Sequence, residues 1–300
     1  MYLRRDTLLS EIDFIDHCFL DRTGGISTGN FRSLNFGFAR GDDDQNVLQN
    51  RRTVAQHFGI PISNLITLHQ KHGDSVHVID ADNIEEYRFK DPESMLNIHG
   101  DAIITNIPGL LIGVQTADCA PILLCDKKNR FIAAIHAGWR GALGNIIENT
   151  VETLLSLENN RPLSKPLESE LLVGKMAHRT AAYLSVREES STGLTHQEAD
   201  YEELWKRSND IVAAIGPCLQ RDSFAVNDEI IDRVDDRYLT HLPDKTLFDM
   251  QAYITDKLLR LGVKTVSHVN IDTFTQENFF SYRRQDGHCG VQFSGIILRG

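Results

Sequence analysis

No apolar run in this chain is long enough to cross a bilayer. The best, Ile107 to Val114 and Ala120 to Cys125, fall far short of the roughly 20 residues a helical span needs. The opening, MYLRRDTLLSEIDFIDH, has basic residues but neither an uninterrupted apolar segment nor a small-residue cleavage site, so it does not read as a secretory signal. Cysteine is sparse and odd in number: Cys18, Cys119, Cys125, Cys218 and Cys289 are scattered rather than arranged as a disulfide framework. Reduced thiols and a cytoplasmic location are therefore expected, with no membrane partner. Positive charge is also short. The formal net charge is -11, with acidic stretches at Asp42 to Asp44 and Glu198 to Glu203, the opposite of a chain that grips a phosphate backbone. No nucleic-acid partner is expected, although a few local arginines can still bind a small anion. Missing too are a P-loop and a dinucleotide-binding G-x-G-x-x-G, which leaves nicotinamide or ATP-driven chemistry without a motif.

What is present is a strand-rich globular chain, 41% hydrophobic and 24% charged. Phe14 to Leu20 reads as a strand and runs into the Gly-, Ser- and Asn-rich loop DRTGGISTGNFRSLNFG. Asp42 or Asp43 can cap a helix through about Phe58. Strands are predicted at Leu65 to Leu68, Ser75 to Asp80, Ala102 to Thr105, Leu111 to Gln115, Pro121 to Cys125 and Phe131 to Ile135. The polar piece Ala81 to Ile98 reads as a surface excursion. Leu143 to Leu155 repeats apolar residues at helical spacing. From Asn159 to Asn209 the text turns rich in Pro, Ser, Glu and Lys, with Thr195 and Glu198 offering a capping box for a helix reaching Arg207. Further strands are expected at Ile211 to Ile215, Lys264 to Val269 and Val291 to Leu298. A helix capped by Asp249 should stop at Gly262. Strands outnumber helices and do not alternate as βαβ units, which argues against a doubly wound sheet. One α+β domain over residues 1–300 is expected, with layered mixed β-sheets, peripheral helices and a long excursion at about 159–209.

Three segments pair a metal-ligand type with glycine or a tight strand end: KHGD at Lys71 to Asp74, TADCAP at Thr116 to Pro121 and HAGWRG at His136 to Gly141. Two imidazoles, His72 and His136, and the thiolate of Cys119 suit zinc or another borderline metal, and three protein ligands leave a position open for water or substrate. The ordinary alternatives are a buried core thiol, a strand-end histidine and a turn residue. His69 and His77 compete as ligands from strand-like text, Cys125 reads as core, and Cys218 and Cys289 stand in loop-like text. A Cys–His–Asp hydrolase fits the same residues, with Cys119 as nucleophile, His136 as base and Asp118 or Asp74 as the orienting carboxylate.

The segments GGISTGNFRSLNFG, HQKHGD, TADCAPILL, HAGWRG, IGPC and FFSYRRQDG together, in order and over nearly the whole chain, resemble the YfiH/laccase-domain family. Its members have been described as multicopper polyphenol oxidoreductases and as purine nucleoside phosphorylases with adenosine deaminase activity. The resemblance implies a layered α+β fold and a metal held by His72, Cys119 and His136. It implies a substrate pocket near Ser33, Leu34 and Asn35, with Arg140, Arg283 and Arg284 close by. Two departures stand out. Lys71 precedes the ligand where valine is commoner, and GHCG at Gly287 to Gly290 replaces a segment that usually carries an arginine.

The two activities make different demands. A four-copper oxidase draws on paired His-x-His motifs, and the 12 histidines here include none. Zinc and a proton-moving carboxylate such as Asp118 suit deamination at adenine C6, whereas phosphorolysis needs arginines on phosphate. The expected activity is thus a zinc-dependent purine nucleoside phosphorylase that also deaminates adenosine. Catalytic roles fall to Asp118, Cys119 and Arg140, and substrate binding to Ser33, Asn35, Arg283 and Arg284. The partners are purine nucleosides and phosphate. Copper-dependent polyphenol oxidation, a Cys–His hydrolase and a non-enzymatic metal- or nucleoside-binding module are the alternatives.

Overall fold

The computed structural model describes residues 1–38, 40–157 and 207–300. Its strands are β1 (Leu3–Arg4), β2 (Ile15–Leu20), β3 (Leu65–Ile66), β4 (Val76–Ile79), β5 (Ala102–Thr105), β6 (Leu111–Thr116) and β7 (Ala120–Asp126). They continue with β8 (Phe131–Ala137), β9 (Ile211–Ile215), β10 (Ala225–Val226), β11 (Leu239–His241), β12 (Thr246–Phe248), β13 (Thr265–His268) and β14 (Gln292–Leu298). They form a five-stranded sheet ordered β1-β2-β14-β6-β3, a six-stranded sheet ordered β13-β9-β7-β8-β5-β4, and a small sheet ordered β10-β12-β11. Both large sheets are mixed: β3 runs parallel to β6, β4 to β5 and β13 to β9, while the other pairings are antiparallel.

Alternation within single strands makes the layers. Along β7, Leu123 and Cys125 join Ile103, Ile132, Ala134, Val212 and Ala214 in a core that also takes Phe19, Ile112, Val114 and Ile296 from the five-stranded sheet. Ile122 and Leu124 point the other way, into a second core with Ile147, Val151 and Leu154 of the helix Ile146–Ser156 and Ile254 and Leu258 of the helix Met250–Arg260. On the outer face of the five-stranded sheet, Leu20, Leu111, Phe293 and Ile297 pack with Val54 and Ala55 of the helix Asp44–His57. The order is therefore helix, sheet, sheet, helix. Both sheets are covered on both faces, which is why β7 and β8 are buried at every position and apolar at all but Asp126 and His136.

The layered α+β expectation holds. Asp43 caps its helix through Gln45 N–H, and Asp249 caps its own through Ala252 N–H. Gly262 takes φ +85 just past that helix, a conformation costly for any residue with a Cβ. The predicted helix Leu143 to Leu155 is in fact two, Trp139–Leu143 and Ile146–Ser156. Gly144 turns extended between them and donates its N–H back to Arg140 O at 2.8 Å. The Leu65 to Leu68 strand is shorter than predicted, and Ala81 to Ile98 carries two short helices, Ile84–Tyr87 and Pro92–Leu96. The small sheet β10-β12-β11 had no predicted counterpart; its strands are two or three residues long, too short to show a period. The proposed Thr195 capping box and most of the Asn159 to Asn209 excursion lie outside the described residues. Among the described residues no helix is long and apolar enough to cross a membrane.

Candidate metal centre

Register gathers the site at one end of the six-stranded sheet. Cys119 immediately precedes β7, and Pro121 of that strand stands opposite His136 near the end of β8. Ala102 at the start of β5 pairs with Ile135, so Asp101 reaches the same end, and its carbonyl accepts the His136 N–H at 2.7 Å. His72 comes from the turn that leads into β4, the neighbour of β5.

One potential ligand atom from each of His72, Cys119 and His136 lies within 4.8 Å of the other two. Cys119 Sγ is 3.7 Å from His72 Nε2, and the two imidazole rings meet edge to face with centroids 4.7 Å apart. His136 is buried, Cys119 half-buried and His72 exposed, so the trio opens to solvent on the His72 side. Gly138 closes the floor. A Cβ there would sit 2.6 Å from His72 Cδ2 and 3.1 Å from Cys119 Sγ, so no other residue type fits without displacing two of the three donors. His72 itself has φ 60 and Asp118, next to Cys119, has φ 85, uncommon conformations for residues with side chains.

Asp101 organises the cluster, and the motif reading missed it. Its buried carboxylate accepts the His136 Nδ1–H at 2.7 Å, and backbone N–H groups from Lys71 at 3.2 Å, His72 at 3.0 Å and Gly73 at 2.8 Å. One side chain thus fixes the tautomer of His136, freeing Nε2 for the centre, and holds the turn that presents His72. Burial works to raise the Asp101 pKa, but the bond to His136, the charge of that ring and the backbone donors bring it below the usual carboxylate range. The one signal in the sequence was an aspartate directly before the strand Ala102–Thr105, a place that by itself also suits a turn residue.

The same surroundings tune the donors. Burial would raise the Cys119 thiol, yet the charge of His136 and hydrogen bonds with His136 and His72 lower it to about 6. Burial would lower His136, but the Cys119 charge and the Asp101 bond raise it to about 9. Each group thus favours the charged form of the other, the thiolate of Cys119 and the protonated ring of His136. A borderline divalent cation suits this donor set: two nitrogens, one sulfur, a carboxylate behind one nitrogen and an open side.

The other predicted residues divide by what already occupies them. Asp118 is buried and its carboxylate accepts from Thr273 Oγ1 at 2.7 Å, Ser281 Oγ at 3.0 Å and the Arg283 N–H at 2.7 Å. Burial nevertheless holds its pKa above the usual range, against those three bonds. Arg284 donates to the carbonyls of Thr273, Phe274, Gln276 and Phe279. Asn35 is fully buried, bonded to the Gly37 backbone, the Val291 N–H and Asp42. Ser33 Oγ donates to Arg22 O and accepts from the Gly25 N–H. Arg140 and Arg283 are freer. Arg140 lies 4.2 Å over the Trp139 ring with Glu229 at 3.4 Å, and Arg283 donates to Ala225 O at 3.1 Å, so both reach the short segment Ala225 to Glu229.

Of the competing residues, His69 Nδ1 donates to Leu96 O, and His77 is held between the Tyr87 hydroxyl and His99 O, outside the trio. Cys125, Cys218 and Cys289 are buried, with thiols raised by desolvation, to about 12 for Cys125, to about 11 for Cys289 and well above the usual thiol range for Cys218. For the hydrolase alternative, the carboxylate on His136 is Asp101, not Asp118 or Asp74.

The sequence profile of the family described as multi-copper polyphenol oxidoreductase laccase matches residues 16–164 and 195–299. A purine nucleoside phosphorylase of Haemophilus influenzae is 29% identical over 92% of this chain and 91% of its own length. The Escherichia coli purine nucleoside phosphorylase YfiH is 27% identical over 94% and 93%. A purine nucleoside phosphorylase of Deinococcus radiodurans is 36% identical, but over 48% of this chain and about half, 51%, of that protein. In fold, the chain resembles a hypothetical protein YfiH of Bacillus licheniformis, with a TM-score of 0.73 at 21% identity over 95% of this chain and 93% of that one.

Proposed function

This chain belongs to the multi-copper polyphenol oxidoreductase laccase family, and within it we propose a zinc-dependent purine nucleoside phosphorylase that also deaminates adenosine. The observation that carries the reading is the solvent-facing His72–Cys119–His136 trio backed by Asp101. The names of the two relatives that align nearly end to end support the substrate class. His72, Cys119 and His136 would hold the metal, which when bound supplies Lewis acidity at the open side. Asp101 keeps His136 aligned and anchors the His72 turn. Arg140, stacked on Trp139, and Arg283 flank the Ala225 to Glu229 segment and are the guanidinium groups with capacity left for phosphate. Arg284, Asn35 and Ser33 shape the surrounding loops through bonds they already make. Asp118 accepts three hydrogen bonds that fix it beside Cys119 and Arg283, and with its pKa held up by burial it is the carboxylate proposed to move protons.

The test is product analysis with copper-free, zinc-loaded protein. Adenosine plus phosphate should give adenine and ribose-1-phosphate, and that product should vanish when phosphate is omitted, while ammonia release persists because water is its nucleophile. A second reading, copper-dependent polyphenol oxidation, is favoured by the family's own description and by the high affinity of nitrogen–sulfur sites for copper. Against a four-copper centre, one His/Cys trio is found among the described residues. Rapid phenol oxidation by a defined copper form, with no nucleoside product from the zinc form, would replace the first reading with the second.

A further inference from the structure

Away from the metal centre, the N-terminal Arg4-Arg5-Asp6 text opens onto a cavity of about 400 Å³ between the start of the chain and the segment after β13, walled by Val269, Ile271 and Phe279. Arg4, Arg5 and Asp6 line its N-terminal side. Asp16 is shared by Arg5 and Arg299, and Asp6 is spent capping Leu9 N–H. Arg4 is different. It makes no ion pair among the described residues, lies 4.3 Å over the Tyr2 ring, and its Nε is buried without a hydrogen-bond partner. An arginine that lines a cavity and has no carboxylate of its own leaves its guanidinium charge for an acceptor in that space. Thr7, Gln276 and His268 add polar groups to the rim, and His268 Nε2 is already engaged by Thr255 Oγ1.

We propose that this cavity binds a small organic anion, with a carboxylate or phosphate group on Arg4 and an apolar or aromatic body against Val269, Ile271 and Phe279. The volume suits a metabolite-sized molecule rather than a bare ion. Occupancy would be felt at the metal centre. The middle of the same segment carries Thr273, whose hydroxyl holds Asp118 beside Cys119, and the segment's carbonyls at Thr273, Phe274, Gln276 and Phe279 are gathered by Arg284. A ligand that orders residues 269–279 therefore stiffens the backing of the metal centre.

Calorimetric titration of the full chain with phenyl phosphate, benzoate and inorganic phosphate tests this and separates the two headgroups from the apolar contribution. Saturable binding of at least one aromatic anion, tighter than inorganic phosphate, is expected. Arg4→Gln should weaken it about tenfold or more, the loss of one charge-assisted bond. Thr7→Trp, which fills the mouth from an exposed position, should abolish it and serves if Arg4→Gln folds poorly. Cys119→Ala should leave it intact, which separates this cavity from the metal centre. Undiminished binding in Thr7→Trp, loss of binding in Cys119→Ala, or no saturable binding of any probe by the unaltered protein would overturn the proposal.

Discussion

Replacing Asp101 by Asn exchanges one carboxylate oxygen for an NH2 group and should cost the centre most of its metal affinity. The carboxylate serves four donors at once: the Nδ1–H of His136 and the N–H groups of Lys71, His72 and Gly73. An amide in its place keeps one acceptor oxygen and turns an NH2 group toward groups that also donate. Either the His136 bond or the His72 turn must give way, and the charge that favours the bound imidazole orientation is gone. Outer carboxylates of this kind are worth about 10- to 100-fold in metal affinity, or about 1.4 to 2.8 kcal/mol. Asp101→Ala is harsher, leaving the buried His136 Nδ1–H unmatched at about 1 kcal/mol or more and releasing the exposed turn at Lys71 to Gly73, so it should also lower the melting temperature of the metal-free protein. Competition with a chromophoric zinc chelator gives the affinity, and thermal unfolding without metal gives the fold. Wild-type zinc affinity in folded Asp101→Asn protein would refute the assignment of Asp101 as the organiser. Asn should fall between wild type and Cys119→Ala, and His77→Ala should not differ from wild type.

Gly138→Ala should strip the centre of metal while preserving the fold, because its Cβ would strike His72 and Cys119; metal analysis alongside circular dichroism checks this. Arg140→Ala should raise the phosphate KM about tenfold with no change in melting temperature, whereas Arg284→Ala should lower the melting temperature by removing bonds to four carbonyls; steady-state kinetics and unfolding curves separate the two roles. His17 makes stability fall with acid. It is buried, its Nε2 accepts the Asp6 N–H at 2.7 Å, and burial lowers its pKa from 6.5 to about 4. The unfolded chain therefore binds a proton that the folded chain refuses between those values. The contribution is complete above pH 6.5 and lost as pH falls toward 4, about 2 kcal/mol by pH 5. His17→Asn should flatten that part of a denaturation-versus-pH series, and an unchanged slope would rule His17 out as its source.

The strands of the two large sheets were legible because burial on both faces writes itself as continuous apolar text. Ala102 to Thr105 and Ile211 to Ile215 needed no correction, and β7 and β8 gained a residue or two at their ends. The metal trio was legible as ligand types beside glycine, although spacing alone could not say that register would bring Cys119 and His136 to one end of the sheet. Asp101 was not legible, because an aspartate before a strand reads as a turn residue until β5 is paired with β8. The division of Arg4, Arg51, Arg140 and Arg284 was equally hidden. Arg51 is fully buried, bonded to Phe36 O and Thr67, with its pKa lowered by desolvation to about 9. Arg284 collects carbonyls, Arg140 lies exposed on an indole, and Arg4 faces a cavity with its Nε unmatched. One residue type thus does four kinds of work in an acidic chain. What separates them is how many acceptors the fold has already placed within reach. A guanidinium with its donors spent stabilises structure, and one with donors to spare is where an anion will go. By that criterion phosphate should be sought first at Arg140 and Arg283, and a second anion at Arg4. Sequence distance from the metal ligands points elsewhere: Arg284 neighbours Arg283 in the SYRR motif, yet it has the least left to offer.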